Sequence, residues 1–172
     1  MELGMKLTKV LLAASVSLGM AGAVQAESGQ VQFKGTVLES ACTIDNGQLD
    51  QSIDFKQIPQ SRLNQGGKSD IEPLKIELQN CDNSTKNTVE VTFTGNTADF
   101  GDAFGVTGVD NIGIVIEQNG KPVVSGSPIS MPLNQGSTIF NFDTYVMGDP
   151  DNTKPVSTGD FNSIANFVIK YS

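Results

Sequence analysis

The sequence predicts an all-β sandwich, and three observations carry that expectation. Several short segments alternate apolar and polar residues with period two, as strands with one buried face do. The stretches between them are rich in turn formers, and 18 Gly and 7 Pro suit many turns rather than long helices. Gln118-Asn119-Gly120-Lys121 contains an Asn-Gly pair, a hairpin signal because both residues tolerate positive φ.

The elements follow in chain order. Lys6 and Lys9 precede an apolar run from Val10 to Met20, and Val24-Gln25-Ala26 offers small residues to a signal peptidase. Residues 1–26 therefore read as a secretory leader cleaved after Ala26; the apolar run is too short to span a bilayer. No other segment is apolar enough to cross one, so no membrane span is expected in the mature chain. Removing Lys6, Lys9 and Glu2 with the leader takes the net charge from −8 to −9. An acidic surface argues against nucleic acid and against anionic membranes as partners.

Ser28 to Leu38 alternates again. Val31, Phe33 and Val37 fall on one face with Gly29 and Gly35; Gln30, Gln32, Lys34 and Thr36 fall on the other. Chain ends are usually loose, so an apolar-faced terminal strand must dock in its own sheet or in a neighbour's. Cys42 and Cys81 lie in the exported part, where two cysteines are expected to form one disulfide. With no His in the chain, a metal site or catalytic thiol has little support.

Further along, Ser52–Phe55 is a short strand candidate and 58–71 reads as a loop. Leu74, Ile76 and Leu78 alternate with Lys75 and Glu77, and Cys81 would pin the end of that strand. Val89, Val91 and Phe93 give the next strand. Residues 94–113 form a Gly- and Asp-rich connection that buries or half-buries Phe100 and Phe104. Ile112–Glu117 leads into the hairpin, with Val123 and Val124 starting the return. Thr138–Met147 presents Phe140, Phe142 and Val146 to the core, with Ile139 and Tyr145 on its other face. Residues 148–160 read as a long polar turn, and Phe167, Ile169 and Tyr171 alternate with Val168 and Lys170 in the last strand. Short strands at this spacing suggest one sandwich domain.

Chemistry is sparse. The absence of His removes the commonest general base and metal ligand, and no Gly-x-Ser-x-Gly elbow appears. Asp149 and Asp151 around Pro150 read as a solvated turn, as do Asp99, Asp102 and Asp110. No enzyme, cofactor or metal is expected.

Gly159 is the fourteenth residue counted back from Ser172, and Tyr171 is the penultimate one. Together with the early cysteine pair and Val31-x-Phe33-x-Gly35-x-Val37 ahead of Ser40-Ala41-Cys42, these features resemble the chaperone–usher pilin family of the type 1 kind. The resemblance runs from Gln30 to Ser172. It implies an incomplete immunoglobulin-like β-sandwich (the pilin fold) lacking its final strand, with 27–41 as an N-terminal donor-strand extension and 42–172 as the pilin domain. Implied too is a structural subunit of an adhesive fimbria, polymerised by donor-strand exchange at the cell surface and supporting cell adhesion. Its partners would be identical or related pilin subunits, a periplasmic chaperone, an outer-membrane usher and a host-surface receptor. Val31, Phe33 and Val37 would be the donated knobs, and Gly35 would mark either a close backbone approach or a bulge. Gly159, Phe167, Ile169 and Tyr171 would form the acceptor groove and chaperone contact. A different class, a secreted monomeric β-sandwich binding a glycan or protein, would use Val31–Val37 in its own sheet.

Overall fold

The computed structural model describes residues 29–172 apart from 36, 38, 39, 152 and 154. The leader and cleavage site expected over 1–26 lie outside the described residues. The chain divides into two compact units, Met1–Val37 and Leu38–Ser172. In the first unit, residues 29–35 and 37 carry no regular secondary structure, and Val31, Phe33 and Val37 are 76%, 89% and 99% exposed.

The second unit is built from strands β1 (Thr43–Ile44), β2 (Glu72–Cys81), β3 (Thr88–Gly95), β4 (Phe104–Gly105), β5 (Ile112–Gln118), β6 (Lys121–Pro122), β7 (Pro128–Pro132), β8 (Gly136–Gly148) and β9 (Ala165–Tyr171). One sheet runs β1-β2-β8-β5-β4, with β6 beside β5; the other runs β7-β3-β9, and every pairing is antiparallel. Among the described residues no helix is long and apolar enough to cross a membrane.

Period-two patterning sets which faces meet. Leu74 and Ile76 of β2 stand opposite Phe142 and Phe140 of β8 in one sheet. Val89, Val91 and Phe93 of β3 face them from the other, and these residues share one core. Since a one-residue slip would turn all of them to solvent, the register is strongly specified. The Cys42–Cys81 disulfide ties the start of the unit to the end of β2, as the sequence led us to expect. The hairpin forms at Asn119 and Gly120, both at positive φ (52° and 74°).

Four expectations need correction. Ser52–Phe55 forms no strand: its main chain joins no ladder, and nearby glutamine side chains bond the β2 edge instead. The hairpin's return strand is Lys121–Pro122, not Val123–Val124. After Pro122 one more bond, Val123 N–H to the Ile116 carbonyl, continues the pairing with β5, and the chain then turns at Gly126 toward β3. The loop over 58–71 contains a helical turn α1 (Gln60–Leu63) and a 3-10 turn (Asn64–Gly66). The 148–160 segment is not simply a solvated turn. Val156 is buried in a second core with Leu63, Val109, Ile112 and Val146, and Asp149 is buried as well. Gln60 Nε2 donates to the Val156 carbonyl, and Asn111 Nδ2 donates to the Pro155 carbonyl, which fastens that segment down.

Candidate functional site: an apolar groove beneath an open sheet edge

The last strand differs from its neighbour in one decisive way. β9 pairs with β3 alone, so among the described residues no strand covers its other edge. The inward residues of β3 (Val89, Val91, Phe93) are at most 2% exposed. Their register partners Tyr171, Ile169 and Phe167 are only half-buried. The same apolar alternation is thus sealed on β3 and open on β9. Only missing cover accounts for this, because both strands face one core.

Next to that edge lies a groove of about 450 Å³. Residues 49–55 form one wall and 161–167 the other, while Leu74, Phe93, Phe104, Ile114 and Ile116 make the floor. Phe93 meets Phe142 edge-on at 5.1 Å and Phe167 at 6.1 Å. At the far end Phe55 from one wall approaches Phe161 from the other, with ring centroids 6.4 Å apart. Ahead of the first wall, β1 pairs antiparallel with β2.

The other end of β9 borders a second cavity of about 480 Å³, lined by Ser40, Ala41, Lys86, Ile169, Lys170 and Tyr171. Burial raises the pKa of the Tyr171 hydroxyl, and a hydrogen bond with Ser40 opposes that rise. The chain ends in ladder geometry: the Ser172 main-chain oxygen accepts from Asn87 N–H (3.1 Å) and Thr88 N–H (3.0 Å).

Residues 31–172 match the sequence model of the family described as Fimbrial protein. The chain belongs to the fimbrial protein family. This fimbrial subunit is 32% identical to the major MR/P fimbria protein of Proteus mirabilis (strain HI4320), over 97% of this chain and 99% of that one. Its fold is similar to the crystal structure of the P pilus rod subunit PapA, with a TM-score of 0.70 and 32% identity over 77% of this chain and all of that one. A chain of a solved chaperone–usher pilus superposes with a TM-score of 0.73 at 33% identity, over 88% of this chain and all of that one. The open immunoglobulin-like sandwich expected from the sequence is therefore the fold of this fimbrial subunit, and such subunits build surface fimbriae.

The four residues expected in the acceptor site separate in space. Phe167 lines the groove, whereas Ile169 and Tyr171 line the second cavity. Gly159 lines neither. It sits at φ 154°, where a Cβ would meet the Gly108 carbonyl oxygen at 3.4 Å, two residues before Phe161. Sequence reasoning missed the opposing wall. Ile53 and Phe55 alternate as a strand would, and that signal was present; what it marked was a wall without a ladder. Phe104 of β4 gave no sign of meeting Ile114 and Ile116 of β5 there, because the two strands are separated along the chain.

Proposed function

We propose that this fimbrial subunit polymerises by donor-strand exchange: segment 28–38 of one copy fills the groove of the next and hydrogen-bonds the open edge of β9. The observation that carries this reading is the half-buried inner face of β9 beside an apolar groove with no strand above it. The donor chemistry matches. Val31, Phe33 and Val37 are apolar knobs on one face of a period-two segment, exposed in this structure, and Gly35, between Phe33 and Val37, suits a close backbone approach. Strand addition at an exposed edge draws affinity from main-chain bonds and specificity from alternate side chains.

Antiparallel addition to β9 would complete the three-stranded sheet in the sense of its other pairings. Burying the three knobs contributes about 5–8 kcal/mol at ~2 kcal/mol each, before any ladder bond is counted. Before assembly the open edge is an aggregation hazard, which explains the need for a periplasmic chaperone to occupy the groove and an outer-membrane usher to exchange it. The chain terminus, with Lys86 and Lys170 around the second cavity, is the surface we assign to the chaperone. Residues 1–26 act as the leader, 27–41 as the extension and 42–172 as the pilin domain.

The test is size-exclusion chromatography with light scattering on mature protein with and without residues 27–38. SDS-resistant multimers from the intact chain, lost on deletion, with a peptide of residues 28–38 capping the deleted form as a stable monomer, support the reading. A stable monomer in both forms overturns it in favour of a monomeric secreted binding module.

A further inference from the structure

Two strand edges border the groove, and the protein treats them in opposite ways. β1 covers β2 only at Leu78 and Gln79. Beyond that point side chains take over the hydrogen bonding. Gln48 Oε1 accepts the Glu77 N–H at 2.6 Å, and Gln51 Nε2 donates to the Lys75 carbonyl at 2.9 Å and to the Gln48 carbonyl at 3.1 Å. Gln48 lies in a single helical turn over Asn46–Leu49, which Asp45 caps by accepting the Gly47 N–H at Oδ1, and Gln51, two residues past that turn, is tied back to it by its bond to the Gln48 carbonyl. A carboxamide carries the same donor and acceptor as a peptide group. The pair therefore imitates a neighbouring strand and occupies a donor and an acceptor on the edge of β2. Along β9, among the described residues, no side chain bonds the main chain of 165–171, whose strand pairing is with β3 alone.

We infer that Gln48 and Gln51 are edge guards: they block strand addition at β2 and hold the 49–55 wall a side chain's length away from it, so that an incoming segment 28–38 of a second copy ladders with β9. This rests on the donor-strand reading above. A period-two segment with one apolar face fits either edge by pattern alone, and uncovered edges recruit strands without discrimination. Selectivity between the two edges must therefore come from groups already bonded to one of them. Gln48 and Gln51 are positioning residues, since neither lines the groove floor.

The experiment is residue-resolved amide exchange by NMR on the full chain, with a peptide of residues 28–38 as probe. Slow exchange at β3 serves as the control for folding. In the wild type, the Glu77 amide is expected to be slow before peptide is added, and the peptide should slow β9 while leaving β2 unchanged. In Gln48→Ala/Gln51→Ala, Glu77 exchange should rise about tenfold, the loss of roughly one hydrogen bond, and the peptide should protect both edges. Gln48→Glu keeps the acceptor and should retain slow Glu77 exchange, whereas Gln51→Glu lacks a donor for the Lys75 carbonyl and should behave like Gln51→Ala. Unchanged Glu77 exchange in the double variant, or peptide protection confined to β9 with both glutamines gone, overturns the guard role and leaves donor-strand capture standing. Peptide protection of neither edge in the wild type overturns the donor-strand reading and the guard role with it.

Discussion

Tyr145 shows how one residue can reverse an expectation about a strand face. It lies on the face of β8 opposite Phe140 and Phe142, yet it is buried, because Val115, Ala103 and the half-buried Phe100 and Met147 pack around it. Its hydroxyl donates to Glu117 Oε1, and Lys68 Nζ bonds that hydroxyl at 2.8 Å while lying 4.3 Å from the ring centroid. Burial, with help from Glu117, raises the Tyr145 pKa above its ordinary 10.0. The hydrogen bond to Tyr145 is the largest cause that raises Lys68 above 10.5. Groups with raised values give stability that is complete below their unfolded pKa and lost as pH rises through the folded one. Denaturant melts should therefore weaken from pH 10 upward, and Tyr145→Phe should flatten that limb. Asp70 has the opposite sign. Its bond from Arg62 holds its pKa below 3.8, so its contribution is present above that pH and fades as pH falls through the lowered value. The pair is exposed, so the effect should be small and salt-sensitive. Gly148 is a harder constraint: a Cβ there would lie 1.9 Å from the Leu63 carbonyl oxygen. Gly148→Ala should cost about 2 kcal/mol or more in an equilibrium melt.

Among the elements, β9 and β3 read alike in sequence but differ in burial, and the proposed function rests on that difference. Phe33→Ala in the segment proposed as donor should shorten the lifetime of an assembled dimer about thirtyfold, the equivalent of ~2 kcal/mol of lost burial. Dissociation in SDS as a function of temperature reads this directly. The disulfide acts on another element. Cys42 and Cys81 are 39 residues apart and fix the start of the sandwich to the end of β2. Replacing both with Ser should cost about 2–5 kcal/mol, and limited proteolysis should then cut first within 43–71, the part of the closed 42–81 loop that precedes β2. The period-two pattern made β2, β3, β8 and β9 legible. It failed at 52–55 because Ile53 and Phe55 alternate for a groove wall rather than a ladder, and at Val123–Val124 because the chain leaves β5 after the Val123 N–H bond and turns at Gly126 toward β3.

At the scale of the whole molecule, the two cores explain why the incomplete sandwich can hold its shape. One fills the space between the sheets, and the other, around Leu63, Val146 and Val156, closes the end where Phe55 and Phe161 meet. Filling the groove should extend the first core without rearranging the second. Binding of the 28–38 peptide should therefore raise the thermal midpoint of the deleted form with saturating dependence on peptide concentration. A midpoint that ignores peptide would mean the groove takes no strand.

By itself the sequence determined the strand faces, the disulfide partners, the Asn119-Gly120 turn and the apolar alternation of 31–37, because each depends on spacing along the chain. The family, too, was legible in the ends of the chain, from Val31-x-Phe33-x-Gly35-x-Val37 to Gly159 and Tyr171. Only the tertiary structure decided that β9 lacks cover while β3 does not. It alone brought Phe104, Ile114 and Phe161 to one groove and set Gly159 apart from it. It also placed Gln48 and Gln51 against β2. These are facts about which edges and surfaces remain after packing, and a local pattern carries no record of what will lie across from it.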